Sequence, residues 1–159
     1  MVQMAPLPVS MPQFAAEEPC VGAWQRATLR GNRALARGDA AAALLQYRAA
    51  LSLADTLPGR ALDADAAVAA LVVSHHNLAE LHERAGRFDQ AAAHFGQAHE
   101  LLHEMGLDVA LEPRWREAAW RHGRVTYAEL LQFLRRHPGH PRAARAAALP
   151  WRDGAEPQH

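Results

Sequence analysis

The chain has 159 residues with 17 Arg, no Lys, 17 Asp plus Glu and ten His, for a formal net charge of zero. It holds 36 Ala but only 6% aromatic residues, which favours helices packed through small side chains over a sheet protein. One domain with its own core is expected. Zero net charge suggests neither nucleic-acid nor membrane binding, no apolar run reaches 18 residues, and the lone Cys20 excludes an internal disulfide or a Cys-based zinc site.

Residues 1–20 are rich in Pro, Met and Ala and lack a period. They read as a flexible leader, and without a basic n-region they do not resemble a signal peptide; a cytoplasmic protein is expected. A first helix is predicted from Val21, with Trp24, Ala27, Leu29 and Ala34 inward and a stop at Arg37-Gly38-Asp39. A second runs from Ala40 to Ala54, capped by Asp39 and carrying Leu44, Tyr47, Ala50 and Leu51 on one face. A third spans about 63–85 and closes at Gly86, and a fourth spans about 88–105 and ends at Gly106. Pro113 opens a fifth helix that runs to Arg136, where His137-Pro138-Gly139 stops it. The remainder, 138–159, is expected to be a mostly irregular tail with at most one short helix. The domain division is therefore 1–20, 21–137 and 138–159.

A spacing recurs within this array. Around Gly38, small or aromatic residues stand at −7 (Gly31), +5 (Ala43), +9 (Tyr47) and +12 (Ala50). Around Gly86 the same places hold Ala79, Ala91, Phe95 and Ala98. Small residues at −7 and +5 let two helices of a hairpin approach, and the aromatic at +9 fills the space beside them. With His76-Asn77-Leu78-Ala79-Glu80 and Gly86-Arg87-Phe88-Asp89-Gln90-Ala91, the pattern resembles the tetratricopeptide repeat over about 23–105. The first unit departs from it at Ala40, where an aromatic is common. Both units lack the proline near the end of the second helix, and the two glycines stand 48 residues apart rather than 34. The resemblance implies an all-α fold of two antiparallel hairpins with the fifth helix as a cap. More narrowly, the His-Asn-Leu-Ala segment and the ending Leu131 to Pro138 resemble a family of short uncharacterised proteobacterial proteins of this repeat type, which implies a complete chain.

The resemblance also implies a small adaptor that binds a protein or peptide in a concave groove. By position, Gln25, Thr28, Asn32 and Leu35 line it from the first unit, and Val73, His76, Asn77, Glu80, Glu83 and Arg84 from the second. Asn32 and Asn77 stand where carboxylate-clamping relatives carry asparagine, but Thr28 replaces their lysine; Arg121 or Arg124 of the fifth helix would supply the positive charge. The plainer reading of Asn77 is a local hydrogen bond.

Charge is distributed unevenly. Residues 71–111 hold two Arg against six acids, and 112–159 hold nine Arg against five. The basic fifth helix then either neutralises the acidic hairpin or presents an Arg-lined surface to an acidic partner. Six of the ten His fall in the second hairpin. His99 and His103, one turn apart, have the spacing of a chelating pair, and His76 with Glu80 has it too. A zinc, nickel or copper site on His99, His103 and His76 is thus the alternative function. The competing readings are core histidines, with His75 and His82 facing the paired helix, and a pH-sensitive interface.

No Gly-rich phosphate loop, Gly-x-Ser-x-Gly elbow or His-Glu-x-x-His is present, and there is no lysine for a Schiff base. No enzymatic activity and no cofactor are expected. Trp24, Trp115, Trp120 and Trp151 read as packing anchors, one of Trp115 and Trp120 being exposed to a partner, and self-association through the fifth helix is a third reading.

Overall fold

The computed structural model describes residues 19–150, which form six helices and no strand. They are α1 (Pro19–Ala36), α2 (Ala40–Ala54), α3 (Ala64–Arg84), α4 (Phe88–Leu107), α5 (Pro113–Arg136) and α6 (Pro141–Ala147). The five main helices stand where the periodicity predicts them. Most of the leader, and Trp151, lie outside the described residues.

Local chemistry explains the helix ends. Asp39 and Asp63 act as N-caps, accepting from the Ala42 and Ala66 amides. Gly38 and Gly86 take φ of 78° and 74° just past the ends of α1 and α3, a conformation that favours glycine. Pro113 sits in the first turn of α5, where its missing N–H costs nothing.

Gly106 corrects the expected stop of α4, because the helix runs through it to Leu107. Its role is close approach: a Cβ there would lie 2.5 Å from the Trp120 indole. Gly31 does the same for α1 and α2, where a Cβ would strike the Tyr47 ring.

Neighbours in sequence pack antiparallel. The three-residue turn 37–39 folds α2 back along α1, where Arg30 meets Gln46 and Asn32 meets Tyr47; His75 meets His94 and His82 meets Arg87 at the α3–α4 end. His99 meets Thr126 and His103 meets Trp120 across α4–α5. α3 and α5 lie side by side in the same direction: Asp65 pairs with Arg121 and Glu83 with Arg136.

The core is built mainly from alanine with a few large anchors. Trp24 is wholly buried and donates from Nε1 to Ser74 Oγ at 2.7 Å, tying α1 to α3. A second cluster sets Phe95 of α4 against Leu130 and Phe133 of α5, with Ala143 and Ala146 of α6 buried beside them. One short helix is what the expected tail allows, and α6 is that helix, but it packs on α4 and α5 instead of lying outside the unit that ends at 137. Arg142 anchors it on α4 through two 2.8 Å bonds to the Glu100 carboxylate, its guanidinium lying over Gly96. Among the described residues, no helix is long and apolar enough to cross a membrane.

Candidate functional site

His76, Glu80, Glu83 and Arg84 fall at i, i+4, i+7 and i+8 of α3, one helix face. Glu129, Gln132 and Arg136, at i, i+3 and i+7, form the matching face of α5. Between these stripes lies a groove of about 310 Å³, with Phe95 of α4 also lining it. Four of the predicted groove residues are thus together; Glu129, Gln132, Arg136 and Phe95 complete the lining.

Charge within the groove is paired unevenly. The Arg136 guanidinium holds Glu83 at both carboxylate oxygens, 2.7 and 3.1 Å, and His137 Nε2 approaches at 2.9 Å. Burial pushes the Glu83 carboxyl up, but these partners outweigh it and hold it below the usual range. The bidentate pair fixes α3 against α5.

His76 sits between two carboxylates. Its Nδ1 is 2.8 Å from Glu129 Oε1, short enough for an ion pair though poorly aligned for a hydrogen bond, and its Nε2 is 3.7 Å from Glu80 Oε2. The ring meets Phe95 edge-on at 6.2 Å. Burial opposes its charge, yet Glu129 and Glu80 prevail and raise its pKa above the ordinary value. At the rim Arg84 is exposed, and among the described residues no ion pair engages it.

Several predicted residues are elsewhere. Thr28 is wholly buried and its hydroxyl donates to the Trp24 carbonyl, so it faces no groove. Asn32 accepts from the Tyr47 hydroxyl at 2.7 Å, and Asn77 is buried. Gln25, Leu35 and Val73 do not line the groove. Arg121 pairs with Asp65 at 2.9 Å and Arg124 is exposed outside it. The carboxylate clamp is therefore not assembled: Arg121 pairs with Asp65 at the far end of α3, and the α5 cation in the groove is Arg136. Its position was readable only as part of a polar stripe on α5; which α5 face meets α3 is set by packing.

The metal set is not brought together either. His99 is wholly buried, with Nδ1 2.9 Å from Thr126 Oγ1, whereas His103 Nε2 reaches the Pro150 carbonyl at 3.1 Å. Their shared helix face is the α4–α5 seam, filled by Trp120 and Tyr127. His76 is across the molecule's other seam, in the groove. Among the described residues no three His, Cys, Asp or Glu side chains gather to hold a metal ion.

The fold and groove describe an all-α protein with a charged cleft between its third and fifth helices. A family model described as a protein of unknown function, DUF2753, matches residues 22–149, and the chain belongs to that family. The matched stretch begins inside α1 and ends beyond α6, so it includes the helix that the expected domain boundary left out. No curated protein and no solved structure matches the chain.

Proposed function

We propose that this protein is a small non-enzymatic adaptor of the bacterial cytoplasm that binds an extended peptide or helix of a protein partner in the α3–α5 groove. Its scaffold is two tetratricopeptide-type hairpins, α1–α2 and α3–α4, followed by α5 as the closing helix. The observation that carries this function is the groove itself: an apolar floor at Phe95 under a rim of accessible polar groups, Glu80, Arg84 and Gln132. A concave cleft whose charged and polar groups converge over one buried aromatic suits a partner segment that carries complementary charge. The Glu83–Arg136 pair holds the walls apart at a set width, so little ordering is left for binding to impose.

A photo-crosslinking residue placed at Gln132 in cells tests this directly. A discrete adduct is expected, lost in the Glu80→Ala, Arg84→Ala double variant while the melting temperature stays nearly constant. Absence of any adduct from Gln132, or an adduct that survives the double substitution, overturns the proposal.

A further inference from the structure

His75, His82 and His94 meet in the seam between α3 and α4, away from the groove. His75 and His94 place their Nδ1 atoms 3.2 Å apart, with ring centroids at 5.5 Å. His94 stacks on His82 at 5.6 Å with the planes 7° apart. Arg87, in the α3–α4 turn, donates from Nε to His82 Nδ1 at 2.8 Å, which leaves the His82 proton on Nε2. We infer that these three rings form an acid-released latch that holds the N-terminal half of α4 against α3.

The geometry dictates how the latch fails. The His75–His94 contact needs one bare Nδ1; protonating both rings sets donor against donor. Protonating His82 at Nδ1 removes the acceptor that Arg87 uses. The charges acting on these rings from neighbouring elements are Arg48 of α2 and Arg87, both cationic, so each added proton meets repulsion. Burial first, and then the neighbouring ring (His94 for His75, His82 and then Arg48 for His94), push His75 and His94 down to about 4, and burial followed by Arg87 and Arg48 lowers His82 as well. At the tip of α4 no side chain caps the first turn, and Phe88, Asp89 and Gln90 are exposed, but Phe88 meets the His137 ring at 4.4 Å and His140 Nε2 lies 2.8 Å from Asp89 Oδ1, so the latch shares the hold on this segment with the start of the α5–α6 connection.

An opened seam lets the rings take protons near pH 6.5, whereas the closed one resists them. At pH 5, a group lowered to about 4 therefore shifts the opening equilibrium by roughly thirtyfold. Amide hydrogen exchange on the full chain at pH 7.5 and 5.0, corrected for intrinsic rates, reads this. At least tenfold faster exchange in residues 88–95 at pH 5.0 is expected, with residues 96–107 changing less. His94→Asn keeps a hydrogen-bonding atom near Nδ1 but cannot titrate, and should lose most of that acid response; His75→Asn serves if that variant does not fold. Imidazole nitrogen NMR of the wild type should show His75 and His94 neutral at pH 5.5. Unchanged exchange in 88–95, acceleration centred on 96–107 around His99, an undiminished response in the variant, or ordinary titration near 6.5 each overturns the latch.

Discussion

His75 and His76 are consecutive on α3, yet their surroundings drive their protons in opposite directions. His75 turns to His94 of α4 and is pushed down to about 4, by burial first and then by His94. His76 turns to Glu129 of α5 and is raised despite its burial. Successive helical residues are rotated by about 100°, so one short step carries the chain from a seam without carboxylates acting on the ring to one between two of them.

The sign for His76 follows from linkage. A folded pKa above the unfolded one gives stability that is complete below about pH 6.5 and is lost as the pH rises through the folded value. His76→Gln should therefore be less stable than the wild type at pH 5.5, by about 0.5–1 kcal/mol given the partial exposure of the cluster. The two should converge by pH 9. Urea midpoints across that range check it, and a gap that widens with pH would refute the ion-pair account. His75, His94 and His99 act oppositely: with values near 4, their contribution is complete above about pH 6.5 and disappears as the pH falls towards 4.

Gly31 and Gly38 should respond differently to alanine. At Gly31 the new methyl enters the Tyr47 ring and separates α1 from α2, disturbing the Tyr47–Asn32 hydrogen bond. Overpacking of this kind costs about 1–3 kcal/mol. At Gly38 nothing lies within 4 Å, and the cost is only the left-handed backbone, about 1 kcal/mol. Thermal unfolding of both variants should rank Gly31→Ala as the more damaging; equal losses would show that α1 and α2 relax around the methyl.

The α6 helix provides a test of the domain boundary. Ending the chain after Gly139 removes Ala143 and Ala146 from the face of Leu130, Phe133 and Phe95, and removes the Arg142–Glu100 pair. The exposed apolar surface should bind an environment-sensitive dye and lower Tm by several degrees. Ala143→Asp makes the same test without truncation, burying an unpaired carboxylate. A shortened chain with unchanged melting and no dye binding would mean that α6 is only loosely attached.

Much of the helix order was legible because its signals are local. Asp39, Asp63, Gly38, Gly86 and Pro113 mark ends by backbone chemistry that acts within a turn. His75 and His82 facing α4 followed from repeat position. Gly106 was misread because a glycine that lets Trp120 approach looks, in sequence, like one that stops a helix. Thr28 was misread because a hydroxyl that bonds its own helix backbone, at Trp24, can be buried without a tertiary partner. Arg136 in place of Arg121 and Arg124 was beyond reach for a different reason. Arg121 faces α3 too, but at its other end, on Asp65; which turn of α5 lies beside His76 and Glu83 depends on how Phe133, Leu130 and Trp115 fill space between distant elements, and periodicity does not give that.

Replacement of the α4 histidines separates packing from metal binding. His99 is wholly buried with Nδ1 against the Thr126 hydroxyl, while His103 is half-buried, meets the Trp120 ring edge-on and reaches the Pro150 carbonyl. His99→Ala should cost about 2–4 kcal/mol, mainly from the cavity it leaves, since the Thr126 hydroxyl still donates to the Gly123 carbonyl, and His103→Ala less than about 1 kcal/mol. A chelating pair requires the reverse signature: the two substitutions would lower zinc affinity together, and each would abolish any rise in Tm on adding zinc. Denaturant titrations with and without zinc distinguish these outcomes. Unequal losses independent of zinc are expected, because the four-residue spacing here aligns both rings with the α4–α5 seam but gives them different partners within it.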